Sequence, residues 1–309
     1  MGPFEFLRHL YLPGVWLLCA IGAALFGACI GSFLNVCIYR IPLDQSVVRP
    51  GSHCMSCGHA IPWWQNIPVL SYFLLRGKCH YCKAPFSCRY AMVELLTALL
   101  FVMPFLALPP DRIMALGGGT AMLRMEQAPI LGMVRLASPW MIPVYWVFLS
   151  GLVIATFVDF DHFIIPDSVS LGGIVAGLVL SALVPAMQGQ SMWWRGLAFS
   201  AIGAAAGAGI LQLVAILGRL AFRKEAMGMG DVKFLAAIGA FFGWRAVLFT
   251  LVAGAFGGAI VGIALIVAGR GRLGSRIPFG PYLALGAFTW AFWGPRILGA
   301  YLSLFAPAP

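Results

Sequence analysis

Long apolar runs free of charge alternate with short polar breaks along almost the whole chain. The runs cover residues 11–39, 95–110, 136–158, 168–194, 196–218, 234–244, 246–269 and 277–295. A helix crosses a bilayer in about 20 apolar residues, and only helices or closed barrels satisfy their backbone polar groups there. The alternating pattern of a membrane barrel is absent. The pattern therefore predicts an all-α polytopic membrane protein with about eight transmembrane helices. Two runs are weak. Residues 95–110 are slightly short, and 234–244 would span only about 16 Å at 1.5 Å per residue. That second run reads as a short helix extended back past Gly230, or as half of a re-entrant hairpin split by Arg245.

Between the runs lie two large polar segments, residues 40–90 and 110–138. The second, with Pro109-Pro110 and the Gly117–Gly119 triplet, reads as a loop or surface helix. The first apolar run is too long for a cleavable leader and reads as an anchor. Gly203, Gly207, Gly254, Gly258 and Gly262 recur at the spacing that lets membrane helices approach closely. The aromatics are expected mostly at the interface or facing lipid.

Composition agrees. Of 309 residues, 61% are hydrophobic and 10% charged, which excludes an ordinary soluble globule and a disordered chain. The net charge of +10 is assigned to topology rather than to nucleic acid. Six basic residues lie in 40–90, and placing that loop in the cytoplasm puts 13 Lys and Arg inside and 7 outside, as the positive-inside rule prefers. Both termini then face outward, and the turns holding Asp159 and Asp231 face the cytoplasm.

The 40–90 loop carries Cys54-x2-Cys57 and Cys79-x2-Cys82. Two such knuckles can present four thiolates tetrahedrally to one Zn²⁺, and the metal would supply folding energy to a loop without a core of its own. A cytoplasmic location argues against disulfides. Four thiolates leave no open position, so the expected zinc-ribbon-like site is structural. His53, His59 and His80 read as bystanders. Cys19, Cys29 and Cys37 read as small packing residues, while Cys88 stands alone.

With only ten acids in the chain, the three at Asp159, Asp161 and Asp167 need a reason. Asp167, between Pro166 and Ser168, suits a helix cap. Asp159 and Asp231, the latter in Gly228-Met229-Gly230-Asp231, border apolar segments on one membrane face, where an ionisable side chain is a functional candidate. Two carboxylates brought together cannot both ionise readily and share one proton. One can then take a proton from water while the other protonates a scissile carbonyl. The glycines would let a substrate strand approach the backbone. Two other readings are a proton- or cation-coupled transporter using the same aspartates, and a zinc-ribbon membrane adaptor without catalysis.

In order along the chain, several motifs resemble those of the type IV prepilin peptidases, bifunctional membrane aspartic proteases of the GxGD class. They are Gly31-Ser-Phe-Leu-Asn35-Val with Arg40 and Pro42, the two cysteine pairs with Arg76-Gly77-Lys78, and Ile67-Pro68-Val-Leu-Ser71-Tyr72. Arg89-Tyr90 with Glu94, Asp159-Phe-Asp161 with Ile165-Pro166-Asp167, Gly228–Lys233 and Pro278-Phe-Gly280-Pro281-Tyr282 complete the set. Ala91 stands where a proline commonly follows Arg-Tyr, and the interval from Glu94 to Asp159 is long for the family. The resemblance implies that Asp159 and Asp231 are the catalytic pair, with Asp161 the alternative for the first position and Gly228, Gly230, Asp161 and Lys233 in support.

It further implies cleavage of prepilins or pseudopilins after a glycine, at the cytoplasmic face of a bacterial inner membrane. Methylation of the new N-terminus with S-adenosylmethionine follows, an activity associated with the cysteine loop, Gly77 and Glu94. The lipid bilayer is the other expected partner. The chain accordingly divides into a first segment and helix (1–39), the cysteine loop (40–90) and a peptidase bundle (91–309).

Overall fold

A computed structural model describes residues 13–107, 136–222, 227–269 and 277–305. Its described residues form helices joined by loops, in the order α1 (Pro13–Arg40), a short α2 (Leu70–Leu74), α3 (Arg89–Ala107), α4 (Met141–His162), α5 (Asp167–Leu183), α6 (Trp193–Phe222), α7 (Met229–Val267) and α8 (Gly280–Ser303). No strand occurs among them; only the isolated bridges His53–Ala60 and Lys78–Pro85 do. Five helices are long and apolar enough to cross a membrane: α1, α3, α4, α6 and α7. The protein is a multi-pass membrane protein with a cysteine loop outside the bundle. The expected outer loop at 110–138 lies almost wholly outside the described residues.

The helices do not stop where charge begins. The apolar run at 95–110 was short because α3 starts earlier, at Arg89. Likewise α4 runs past the last apolar position, so Asp159 and Asp161 sit on its final turn rather than beyond it. The run at 168–194 is interrupted earlier than expected. Here α5 ends at Leu183, and Pro185, which cannot continue a helix, opens a 3-10 turn to Gln188.

The weakest run resolves into a broken helix. Both 234–244 and 246–269 belong to α7, which bends at Gly243 (φ 76°, ψ 178°), a backbone conformation open to glycine and little else. The break therefore falls two residues before Arg245, and the first arm extends back past Gly230. A methyl at Gly239 would come within 2.8 Å of Val247 Cγ2. Eight residues of straight helix would hold those positions about 12 Å apart, so the chain folds back on itself here. Breaking a helix inside a membrane orphans carbonyls one turn before the break. Ser200 Oγ (2.6 Å), Gln188 Nε2 (3.0 Å) and Ser181 Oγ (3.3 Å) all donate to the Ala240 carbonyl, and Gln188 Nε2 also donates to that of Phe241 at 3.1 Å.

Small residues bring the helices close. A Cβ at Gly203 would strike the Gly239 carbonyl, and one at Gly207 that of Leu235, which joins α6 to the first arm of α7. The second arm packs on α8, with Gly254 against Leu283 and Gly258 against Tyr282. Not all aromatics face outward as expected. Tyr145, Phe148, Phe241 and Phe292 are buried in the main core, and Phe101 stacks on Trp146 at 5.1 Å. Their polar atoms are satisfied: Tyr145 Oη donates to the Ala291 carbonyl and Trp146 Nε1 to that of Phe101, each at 2.9 Å. Of the three cysteines on α1, only Cys37 is buried, whereas Cys29 is exposed.

Candidate active site

Two acids meet at one end of the bundle because four helix ends converge there. Helix α4 closes at His162, where Phe163 takes a left-handed conformation and its N–H donates to the Asp159 carbonyl at 3.0 Å. The extended Pro166 then opens α5. From the other direction, Gly228 opens α7 and makes Asp231 its third residue. Gly230 packs directly on Ile165, where a Cβ would lie 3.3 Å away, so the glycine turn rests against the loop that follows Asp159.

Between them is a cavity of about 220 Å³ lined by Asp159, Asp167, Asp231, Gly228, Gly230 and neighbouring apolar side chains. Asp159 is 5% exposed, and Asp231 is half-buried within range of its charge. One oxygen of Asp159 is held from outside the pair. The Gly280 N–H, in the first turn of α8, donates to Asp159 Oδ2 at 2.8 Å, and a Cβ on Gly280 would approach that oxygen to 2.7 Å. Only glycine lets the α8 backbone come this near. The string Phe279-Gly280-Pro281 before an apolar run was the available signal, but its partner was not readable from the chain.

The other acids have separate partners. Asp161, the alternative for the first position, does not line the cavity; it pairs with Arg89, whose two guanidinium nitrogens donate to its two oxygens at 2.7 Å each. Arg89 also donates to the Phe157 carbonyl at 3.1 Å, so it clasps the last turns of α4. Asp167 does not cap its helix as expected. Pro166 is the cap position and no side-chain cap bond forms; Asp167 instead accepts from Lys233 Nζ at 2.7 Å. This pair ties α5 to the start of α7 beside the cavity.

The cysteine loop contains the second cluster. Sγ atoms of Cys54, Cys57, Cys79 and Cys82 all lie within 4.8 Å of one another, and those of Cys54 and Cys82 are 3.8 Å apart. Tetrahedral Zn–S bonds of about 2.3 Å imply sulfur separations of about 3.8 Å, so the four thiols fit such an ion. Each knuckle is built alike. Cys54 N–H donates to His59 and Cys79 N–H to Ala84, both at 2.9 Å, and the residues after the second cysteines, Gly58 and Lys83, have positive φ. Backbone N–H groups of Cys57 and Ser56 pull the Cys54 thiol down to about 6. At Cys57 a backbone bond from His59 works the same way, yet desolvation and the neighbouring sulfurs push that thiol up to about 11. A bound cation would hold all four thiolates ionised together. The histidines take no part in the cluster, and Cys88 is exposed.

Gly77 and Glu94 are engaged in holding this loop. Gly77 donates to the Tyr72 carbonyl, accepts from Phe86 N–H, and lies against the Tyr72 ring. Glu94 Oε2 accepts from Val69 N–H at 2.6 Å. Two further anchors escaped the sequence reading as such. Buried Arg40 donates to the carbonyls of Ser46, Pro50 and Gly51, and Asn35 donates to that of Tyr90 at 3.0 Å.

Residues 25–108 match the family described as bacterial peptidase A24 N-terminal domain, and residues 146–263 match the type IV leader peptidase family. The chain is 37% identical over 298 residues to a prepilin leader peptidase/N-methyltransferase of Myxococcus xanthus (strain DK1622), covering 94% of this chain and 78% of that protein. Proteins of the same description from Aeromonas hydrophila (35% over 305 residues, 91% and 93% covered) and Pseudomonas aeruginosa (32% over 313 residues, 94% and 94% covered) are also similar. No solved structure matches the chain.

Proposed function

The chain belongs to the type IV leader peptidase family, and from that premise we propose that Asp159 and Asp231 are its catalytic pair. The enzyme is a membrane aspartic endopeptidase that removes the leader from prepilins or pseudopilins, and it methylates the new N-terminus. The observation that carries the catalytic assignment is the shared cavity, reached by two acids 72 positions apart and set at helix ends. A transporter would use carboxylates near the middle of the spans. Asp159 lies on the last turn of α4 and Asp231 on the first of α7.

In the reaction one carboxylate takes a proton from water, and the resulting hydroxide attacks the scissile carbonyl carbon. The protonated partner donates to the carbonyl oxygen, and the amine leaves with a proton as the tetrahedral centre collapses. The Gly280 N–H occupies one lone pair of Asp159 Oδ2, which fixes that side chain and leaves its other oxygen for water or substrate. Gly228 and Gly230 line the cavity without side chains, so an extended peptide can approach the α7 start. Lys233 and Asp161 act indirectly, through their pairs with Asp167 and Arg89.

Zinc is the metal the four thiolates suit, as a structural ion with no open coordination position. S-adenosylmethionine supplies the methyl group of the second activity. Gly77 and Glu94, associated with that activity, also hold the cysteine loop through the contacts above. Residues 1–39, 40–90 and 91–309 serve as first helix, cysteine loop and peptidase bundle. The excess of basic residues in the 40–90 loop supports a cytoplasmic active end, and the family resemblance a bacterial inner membrane. Purified enzyme incubated with a prepilin and labelled methyl donor tests both activities. Expected are a shortened product and label on its new N-terminus; intact substrate would overturn the reading.

A further inference from the structure

The cysteine loop carries a face that neither zinc binding nor peptide cleavage uses. Residues 50–75 contain no Asp, Glu, Lys or Arg. Within them Trp63 is 78% exposed and Phe73 and Leu74 are each 68% exposed, with Trp64 and Leu70 beside them. Water-soluble loops do not display two adjacent tryptophans and a short apolar helix to solvent without a counterpart.

One hydrogen bond docks this face against α3. Val69 N–H donates to Glu94 Oε2 at 2.6 Å, and Glu94 lies five residues into α3 from Arg89, about 7.5 Å along the axis. Arg89 marks the charged level through its pair with Asp161. Backbone contact between α1 and α3 holds Glu94 in place, since a Cβ at Gly31 would fall 2.7 Å from Glu94 Cα. Val69, with Leu70–Leu74 directly after it, is thus held against the flank of α3 beside its first turns.

We propose that residues 63–74 form a membrane-interface anchor, seated at the boundary between headgroups and acyl chains of an anionic bilayer. Trp63 and Trp64 have the amphipathic rings favoured at that depth. No carboxylate occurs from residue 45 to residue 93, whereas Arg49, Arg76, Lys78, Lys83 and Arg89 do, a balance that attracts anionic headgroups. The anchor holds the zinc knuckles flat against the leaflet, beside the span ends. The inference rests on the multi-pass membrane reading and is independent of which reaction the aspartates perform.

The test uses the full-length protein in nanodiscs of phosphatidylcholine and phosphatidylglycerol. Emission of the Trp63→Phe/Trp64→Phe variant, subtracted from that of the parent, isolates the two indoles. This difference emission should be blue-shifted, quenched by phospholipid brominated near the headgroup, and little affected by aqueous iodide. Quenching by iodide but not by bromolipid would overturn the proposal. Photoactivatable phospholipid on the unmodified chain is the second measurement, and cross-links mapped to 63–74 are expected. Lipid cross-links confined to the spans would overturn it. Leader cleavage assayed on the same sample reports separately on the peptidase.

Discussion

Gly280 N–H donates to Asp159 Oδ2 at 2.8 Å across 121 residues of sequence. This contact brings the start of α8 onto a carboxylate at the end of α4, and no side chain longer than hydrogen fits between them. Gly280→Ala should therefore displace Asp159 rather than unfold the bundle. A shift of about 1 Å in a reacting group costs on the order of 100-fold in rate. Cleavage should fall by that order while the thermal unfolding midpoint changes little; wild-type cleavage would remove the positioning role.

The three acids near the end of α4 should separate by function. Asp159→Asn and Asp231→Asn each should lose about 10²- to 10⁴-fold in leader cleavage while remaining folded and membrane-inserted. Asp161→Asn should retain most activity, because it breaks only the partly exposed pair with Arg89, worth less than about 1 kcal/mol. Equal losses in all three would contradict the assignment.

Metal retention should depend on acid in a defined direction. Ligation needs thiolates, so protons compete with zinc. The Cys57 and Ser56 backbone N–H groups pull the Cys54 thiol down, and a bound cation would hold it lower still. Zinc should be retained in full at pH 8 and released progressively as the pH falls, as read by elemental analysis after dialysis. Cys54→Ser should release the ion and impair methylation or loop stability more than cleavage. Stoichiometric zinc in that variant would refute the cluster.

The bend in α7 should be intolerant of a side chain. Gly243→Ala places a Cβ on a residue at φ 76°, ψ 178°, a cost of about 1–3 kcal/mol. A lowered unfolding midpoint is expected in detergent, and an unchanged one would mean the backbone relaxes there freely.

Glu94 offers a test of loop docking. Glu94→Ala removes the acceptor for Val69 N–H. Limited proteolysis should then cut residues 60–85 faster, with leader cleavage retained. Unchanged proteolysis would show that Arg40 and the metal suffice to hold the loop.

Much of the fold was legible because the solvent writes it into the chain. Apolar runs mark helices, and a cysteine pair separated by two residues forms a knuckle through local hydrogen bonds. The helix limits were less legible. Glu94 and Asp159 bound the apolar runs, yet both lie on helices, so charge alone set the start of α3 too late and the end of α4 too early. The break at Gly243 was placed near Arg245 for the same reason: a charge is conspicuous in a sequence, whereas a positive φ is not. Asp167 looked like a cap beside proline, but Lys233, 66 positions away, claims its carboxylate.

What the amino-acid order determined by itself is therefore what depends on near neighbours: a membrane-spanning helical chain, two cysteine knuckles, and a short set of acids too costly to be decoration. What only the tertiary structure decided is which of those acids face each other. Carboxylates on one helix end are chemically alike, and their roles diverge through contacts made at long range. Gly280 and the glycine turn of α7 turn Asp159 and Asp231 toward one cavity, while Asp161 pairs with Arg89 and does not line it.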